Sequence, residues 1–290
     1  MSLTSPLSTW SHDVTPFLKW AGGKRWLVSK HAAWLRVGAQ RYIEPFLGSG
    51  AVFFYLQPRS AILTDLNSEL ILTYRVLRET PNAVLRHLKK HQRLHSHDYY
   101  YRVRKSIPRS YAARAAKFIY LNRTCFNGLY RVNLQGVFNV PKGTKDKILL
   151  PTDDFKGVAD SLQCAELATC DFEETIAIAG EGDFVYIDPP YTVRHNNNNF
   201  LRYNEEIFSW ADQKRLATCL SKAASRGSCI LISNADHPCI HDLYSASTWM
   251  HLTVSRFSNL ASSTQYRRGT TETVISNYLN ENGEQEDPRY

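Results

Sequence analysis

The stretch F-V-Y-I-D-P-P-Y-T-V, Phe184 to Val193, decides the reading of this chain. Four apolar or β-branched residues lead into an aspartate, two prolines and a tyrosine. The first part has the composition of a short buried strand, and the prolines end it, because proline has no N–H to give to a sheet. Asp188, Pro189 and Tyr191 then stand together at the strand's carboxyl end. An amine conjugated to an aromatic ring, such as the 6-amino group of adenine, is a poor nucleophile, because its lone pair is delocalised. A carboxylate on Asp188 and a carbonyl held rigidly by Pro189 can accept its two hydrogens and free that lone pair. Tyr191 offers a flat face for a base.

Other strand-like runs lie at 41–46, 61–65, 228–233 and 271–278, with helical spacing over 66–79 and 210–226. Strands alternating with helices predict an α/β fold with a parallel sheet. The stretch 80–150 breaks that rhythm and reads as an insertion. Residues 1–14 read as a loose arm, the polar tail 280–290 as a fraying end, and Asn196–Asn199 as a mobile loop.

Tyr42 to Phe54 reads Y-I-E-P-F-L-G-S-G-A-V-F-F, a strand followed by Gly48-Ser49-Gly50 and a helical start. Ligands of open α/β sheets sit beyond the carboxyl ends of the strands. Glycines there let the backbone approach a ligand closely. Phe53 stands where a dinucleotide fingerprint needs its third glycine. Asp65 ends the second strand, a place from which carboxylates accept hydrogen bonds from ribose hydroxyls. A nucleoside without a pyrophosphate, such as S-adenosylmethionine, fits this pattern. In P-F-L-K-W-A-G-G-K-R-W-L, Pro16 to Leu27, no Ser or Thr follows Lys24 as a phosphate loop requires. That stretch is either a turn before a helix whose Trp26 and Leu27 pack, or a segment that pairs Lys24 with a carboxylate and Trp20 with a flat or cationic group.

The chain has 290 residues and a net charge of +8. Residues 86–117 hold ten Lys or Arg against one acid, Asp98, so that window carries +9 and the remainder −1. Such a block marks either a polyanion partner, nucleic acid first, or a solvated helical face. The six cysteines form no CxxC pair and no zinc-ligand spacing. His87, His91 and His95 recur every four residues, but Lys89, Lys90 and Arg93 beside them repel a cation, so no metal is expected. No apolar run reaches the length of a membrane span, and the N-terminus lacks a secretory pattern. A cytoplasmic monomer with no membrane association and no obligate protein partner is expected.

Taken together and in this order, F-L-K-W-A-G-G-K, E-P-F-L-G-S-G-A-V-F-F, L-T-D-L-N, Y-L-N-R-T-C-F-N-G-L-Y-R-V-N-L-Q-G-V-F-N-V-P-K-G and V-Y-I-D-P-P-Y resemble the Dam-type (D12 class, alpha group) DNA adenine methyltransferases across residues 16–278. The resemblance implies a Rossmann-like S-adenosylmethionine-dependent methyltransferase sheet with an inserted, mainly helical target-recognition domain. Residues 1–67 and 152–290 would form the discontinuous catalytic domain, and 68–151 the recognition domain. It implies methyl transfer to adenine in double-stranded DNA by base flipping, with GATC as the candidate site. Val132, Gln135 and Lys142 depart from what GATC-specific members carry. By motif match, Trp20, Lys24, Glu44, Phe46, Gly48, Gly50, Asp65, Asp171 and Asp188 would bind the donor. Asp188, Pro189 and Tyr191 would hold the target amine. Asn127, Gly128, Leu129 and Arg131 would read DNA, with Phe126 as a wedge. Asn122 and Arg123 would support that hairpin or touch phosphate, and Arg267 and Arg268 would touch phosphate or decorate a surface hairpin. A cytosine 4-amino methyltransferase would begin the tetrapeptide with Ser in place of Asp188. An inactive DNA-binding regulator would not be expected to keep Asp65 and Asp188.

Overall fold

The apolar runs pair side by side because each is buried on both faces. The computed structural model describes residues 14–133, 136–193, 208–257 and 269–286. The Asn196–Asn199 run, Gln135, Arg267 and Arg268 lie outside the described residues, as do 1–13 of the N-terminal arm. Seven strands form one sheet: β1 Arg41–Glu44, β2 Ala61–Thr64, β3 Ala165–Ala168, β4 Asp183–Ile187, β5 Cys229–Ala235, β6 Met250–Phe257 and β7 Gly269–Ser276. Their order is β3-β2-β1-β4-β5-β7-β6. The first five are parallel, with Ile43 beside both Ile62 and Val185. β7 runs antiparallel between β5 and β6. Strand order reverses at β1, which has β2 on one side and β4 on the other. The crevice beyond the carboxyl ends of β1 and β4 is therefore the place where such a sheet binds ligands.

Alternation along the strands divides the core. Phe184 and Tyr186 of β4 join one buried cluster, and Val185 and Ile187 join the other. Full burial of each such side chain contributes about 1.5–3 kcal/mol. The second cluster packs under α8 (Phe172–Ala177) and α9 (Trp210–Ser225), through Phe172, Leu216 and Leu220. Ser209 starts α9 with a reciprocal capping box to Asp212, which satisfies two backbone donors of the first turn.

The first cluster extends from Tyr42 and Phe184 into the helices between β2 and β3: α3 (Ser68–Glu79), α4 (Pro81–Leu94), α5 (His97–Lys105), α6 (Tyr111–Thr124) and α7 (Phe155–Ser161). Asn67, Ser96 and Ser110 cap α3, α5 and α6 by accepting backbone N–H groups. Val84, Leu88, Tyr100 and Ile119 are buried in the same cluster as the sheet residues. This helical layer shares its core with the sheet. Three short helices complete the described set: α1 (Arg25–Lys30), α2 (Ala51–Leu56) and α10 (Pro238–Leu243). None of the described helices is long and apolar enough to cross a membrane.

One expectation changes, and another resolves to the first of its two alternatives. The tail does not fray up to residue 286: Glu286 N–H bonds Tyr278 O at 2.6 Å, and the Gln285 amide donates to Ala33 O and Leu35 O. Arg123 and Asn122 are internal supports. Arg123, 2% exposed, grips Asp153 with two bonds of 2.6 and 2.7 Å and donates to Phe17 O and Ile148 O. It ties the start of the described chain to the end of the helical layer. Removing one partner of a buried ion pair leaves an uncompensated charge. Arg123→Met should therefore lower unfolding free energy by about 3–5 kcal/mol, seen as a lower urea midpoint; a change below about 1 kcal/mol would remove the pair from the stability account.

Candidate active site

Gly22 adopts φ 76° and Gly23 N–H bonds Trp20 O, so the A-G-G-K segment turns sharply into α1. Both sequence readings of this segment hold: it is a turn before a helix with Leu27 fully buried, and it delivers Lys24 to a carboxylate. Lys24 Nζ lies 2.7 Å from Asp188 Oδ1 and donates to Gly22 O. Its side chain is 2% exposed, whereas that of Asp188 is 20% exposed. A buried ammonium thus holds a carboxylate that still reaches the surface. The ammonium also lies 4.9 Å from the centre of the Tyr191 ring, a favourable cation–π distance.

Glu272, on β7, was not expected. It accepts the Tyr191 hydroxyl at 2.9 Å and lies 3.9 Å from Lys24 Nζ. The available signal was a carboxylate inside the run T-E-T-V-I, since unpaired acids are rarely fully buried.

Asp65 stands at the tip of β2. Its carboxylate accepts N–H groups from Gly48 (3.2 Å) and Asn67 (2.9 Å), so it joins the loop after β1 to the start of α3. Burial pushes its pKa up to about 6, against those two hydrogen bonds. A carboxylate offers about four acceptor sites, so these two bonds leave capacity for a polyol. Leu66 beside it is 60% exposed, an apolar surface on the same rim. Glu44 sits deeper, 3% exposed and bonded by the Tyr42 hydroxyl. Burial, with the nearby charges of Asp188 and Asp65, raises its pKa well above the carboxylate range. Burial thus disfavours the charged form of Glu44.

The glycines also have a packing role within the chain. Gly48 has φ 47°, and a Cβ on it would fall 2.7 Å from the Trp20 ring. Gly50 has φ 62° and caps α2, with Phe54, Leu47 and Tyr74 around the place a Cβ would take. Their conformational freedom serves close packing against Trp20 and the helix start. Trp20 in turn stacks on Tyr130 at 5.9 Å and on Phe118 at 6.5 Å. Phe46 stacks on Phe172 at 5.6 Å. Asp171 caps α8 and pairs with Arg215 at 2.6 Å on the outer part of this rim. Pro189 is buried next to Asp188.

The hairpin residues stand apart from that cluster. Phe126 is 48% exposed, and Asn127, at φ 54°, and Arg131 are exposed. Gly128 is buried, with its carbonyl near the Asn122 amide at 3.5 Å. The same Asn122 side chain brackets both backbone groups of Lys19 at 2.9 and 2.7 Å. Leu129 packs on the core, and Arg131 Nε donates to Asn139. Within the basic block, Arg86, Lys89, Lys90, Arg93, Arg102, Lys105 and Arg109 are exposed, whereas Arg114 pairs with Glu69 and Arg104 donates to Asn139 O and Val140 O.

The histidines are built into the helical layer. His91 bonds the Tyr99 hydroxyl and stacks on Tyr120; burial lowers its pKa to about 4. His95 has an acidic neighbour after all, Asp146 at 2.9 Å. Among the described residues, no group of three His, Cys, Asp or Glu side chains is arranged to hold a metal ion.

Residues 20–257 match the model of the D12 class N6 adenine-specific DNA methyltransferases. The chain is 35% identical over 277 residues to the type II methyltransferase M1.LlaDCHI of Lactococcus lactis subsp. cremoris, covering 92% of this chain and 97% of that protein. It is 36% identical over 233 residues to the DNA adenine methylase of Serratia marcescens, covering 79% of this chain and 86% of that one. A type II methyltransferase of Methanocaldococcus jannaschii, M.MjaIII, is 34% identical over 77% of this chain and 85% of its own length. With a sheet of the methyltransferase order and an aspartate held at its switch point, this chain belongs to the D12 class of N6 adenine-specific DNA methyltransferases.

The raised pKa of Asp65 gives a test. In the sequence reading this carboxylate would accept ribose hydroxyls, a task that favours its ionised form, and it protonates as pH falls through about 6. Affinity for S-adenosylmethionine, measured by titration calorimetry, should therefore fall below that pH. Asp65→Asn should weaken binding about 10- to 100-fold, the loss of charged hydrogen bonds, and flatten the pH dependence. Unchanged affinity in the variant would remove Asp65 from the donor site.

Proposed function

We propose that the protein transfers a methyl group from S-adenosylmethionine to the 6-amino group of an adenine swung out of double-stranded DNA, with residues 68–151 as the target-recognition part. The observation that carries this reading is the Asp188 carboxylate, held by buried Lys24 at the reversal of strand order yet open to the surface. Asp65, Leu66 and Phe46 would hold the donor's nucleoside on the rim beyond β1 and β2, and Lys24 would meet its charged chain. When bound, the donor supplies a methyl group on a positively charged sulfur.

Asp188 accepts one amine hydrogen and the Pro189 carbonyl the other, so that the nitrogen's lone pair points at the methyl carbon. The Tyr191 ring supports the base. The nitrogen would form its bond to the methyl carbon as the carbon–sulfur bond breaks, leaving a neutral thioether, and the protonated nitrogen would then release its proton to water. Placement and charge do most of this work, so the barrier depends on sub-ångström positioning. An adenine inside a duplex cannot reach Asp188, and extruding it costs a few kcal/mol. Exposed Phe126 suits a wedge that fills the vacated stack. Exposed Arg131 suits bidentate contact to guanine in the major groove, which is compatible with GATC. The exposed cations of α4 and α5 suit phosphate contact.

Duplex DNA incubated with labelled donor should carry the label in N6-methyladenine, and Asp188→Ala should abolish it while the fold persists. Label in cytosine, or full activity of the variant, would overturn the reading. Arg131→Ala should cost about 1–3 kcal/mol of site discrimination, read from a map of methylated sites; an unchanged map would take Arg131 out of base reading.

A further inference from the structure

We propose that Glu272 is a positioning residue for methyl transfer: it holds the Lys24 ammonium and the Tyr191 ring while Asp188 turns to the target amine. The proposal rests on the function given above. Glu272 comes from the antiparallel strand β7, beside Ala235 on one side and Val254 on the other. It is 4% exposed. Its Oε2 accepts the Tyr191 hydroxyl at 2.9 Å, and Lys24 Nζ lies 3.9 Å from the same oxygen.

One buried ammonium therefore faces two carboxylates, with Asp188 at 2.7 Å and Glu272 farther off. An ammonium in contact with a carboxylate withdraws charge from it and makes it a weaker acceptor for a neutral amine. Asp188 cannot hold Lys24 fully and polarise a base at the same time. A second carboxylate on the ammonium's other side relieves this conflict. A shift of about 1 Å would bring Lys24 from its present distance into direct contact with Glu272, within the usual range of charged hydrogen bonds. Lys24 is then never left buried without a counter-charge, a condition that costs several kcal/mol. The same Glu272 oxygen orients the Tyr191 hydroxyl, so that the aromatic ring and the carboxylate of the D-P-P-Y stretch are set by one group.

The test uses the full chain, duplex DNA and tritiated S-adenosylmethionine, and reads the single-turnover transfer rate at saturating donor and DNA. Glu272→Gln keeps an acceptor for Tyr191 and removes the charge. We expect its rate to fall tenfold or more, with donor affinity within about threefold of the parent and an unchanged melting temperature. Glu272→Asp should recover most of the rate. Tyr191→Phe, which loses only the hydroxyl, should fall at least threefold and gives a second measurement should Glu272→Gln not fold. Parent-like rates in Glu272→Gln, or in Tyr191→Phe where Glu272→Gln does not fold, would overturn the proposal. So would equal losses in the Asp and Gln variants accompanied by a lowered melting temperature. Asp188→Asn run alongside separates the two levels: if it is active, the underlying function is wrong; if it is inactive while Glu272→Gln is parent-like, only the role of Glu272 is.

Discussion

The contact between Lys24 and Asp188 joins residues 164 positions apart and sets the chemistry of the sheet's edge. One partner comes from the turn before α1, the other from the residue after β4. Neither is useful alone. A buried lysine without a counter-charge would lose its proton or its place, and an aspartate at a strand end without a fixed cation would be one more surface acid. Their meeting point coincides with the reversal of strand order, where the backbone of a parallel sheet opens a crevice. Asp65 and Glu44 lie close enough to influence this charge balance. Burial raises the pKa of Glu44 well above the carboxylate range and that of Asp65 to about 6, so both carboxylates are harder to ionise than surface acids.

The arrangement also connects two surfaces. Trp20 lies against Gly48 after β1 and stacks on Tyr130 of the hairpin. Asn122 holds the preceding residue, Lys19, by both backbone groups and reaches the carbonyl of Gly128. The pair Lys19-Trp20 thus packs between the strand ends and the hairpin. The helical layer that carries the hairpin shares a buried cluster with the sheet, which makes it a rigid extension of that face.

Much of this was legible because strong local signals coincided. Buried strands with β-branched residues, the G-S-G turn, the acid after β2 and the D-P-P-Y stop each read correctly for type and place. β3 was missed because Ala165-Glu166-Leu167-Ala168 has the composition of a helix, and only its pairing with β2 makes it a strand. Edge strand β6, Met250–Phe257, was missed as well, although its polar and apolar residues alternate and Ser and Asn flank it. At Gly48 the sequence hid a packing constraint, because the side chain that a Cβ there would strike is a tryptophan 28 positions away in sequence. Glu272 showed only as a carboxylate inside an apolar run: its partners depend on an antiparallel strand inserted between two others, and no local pattern encodes those neighbours.

The most direct test is a crystal structure of the protein with duplex DNA and S-adenosylhomocysteine, the demethylated donor. The account requires an extruded adenine whose amino nitrogen lies within hydrogen-bonding distance of both the Asp188 carboxylate and the Pro189 carbonyl. An adenine still stacked in the duplex, or one bound away from Asp188 with the Lys24 contact undisturbed, would contradict it.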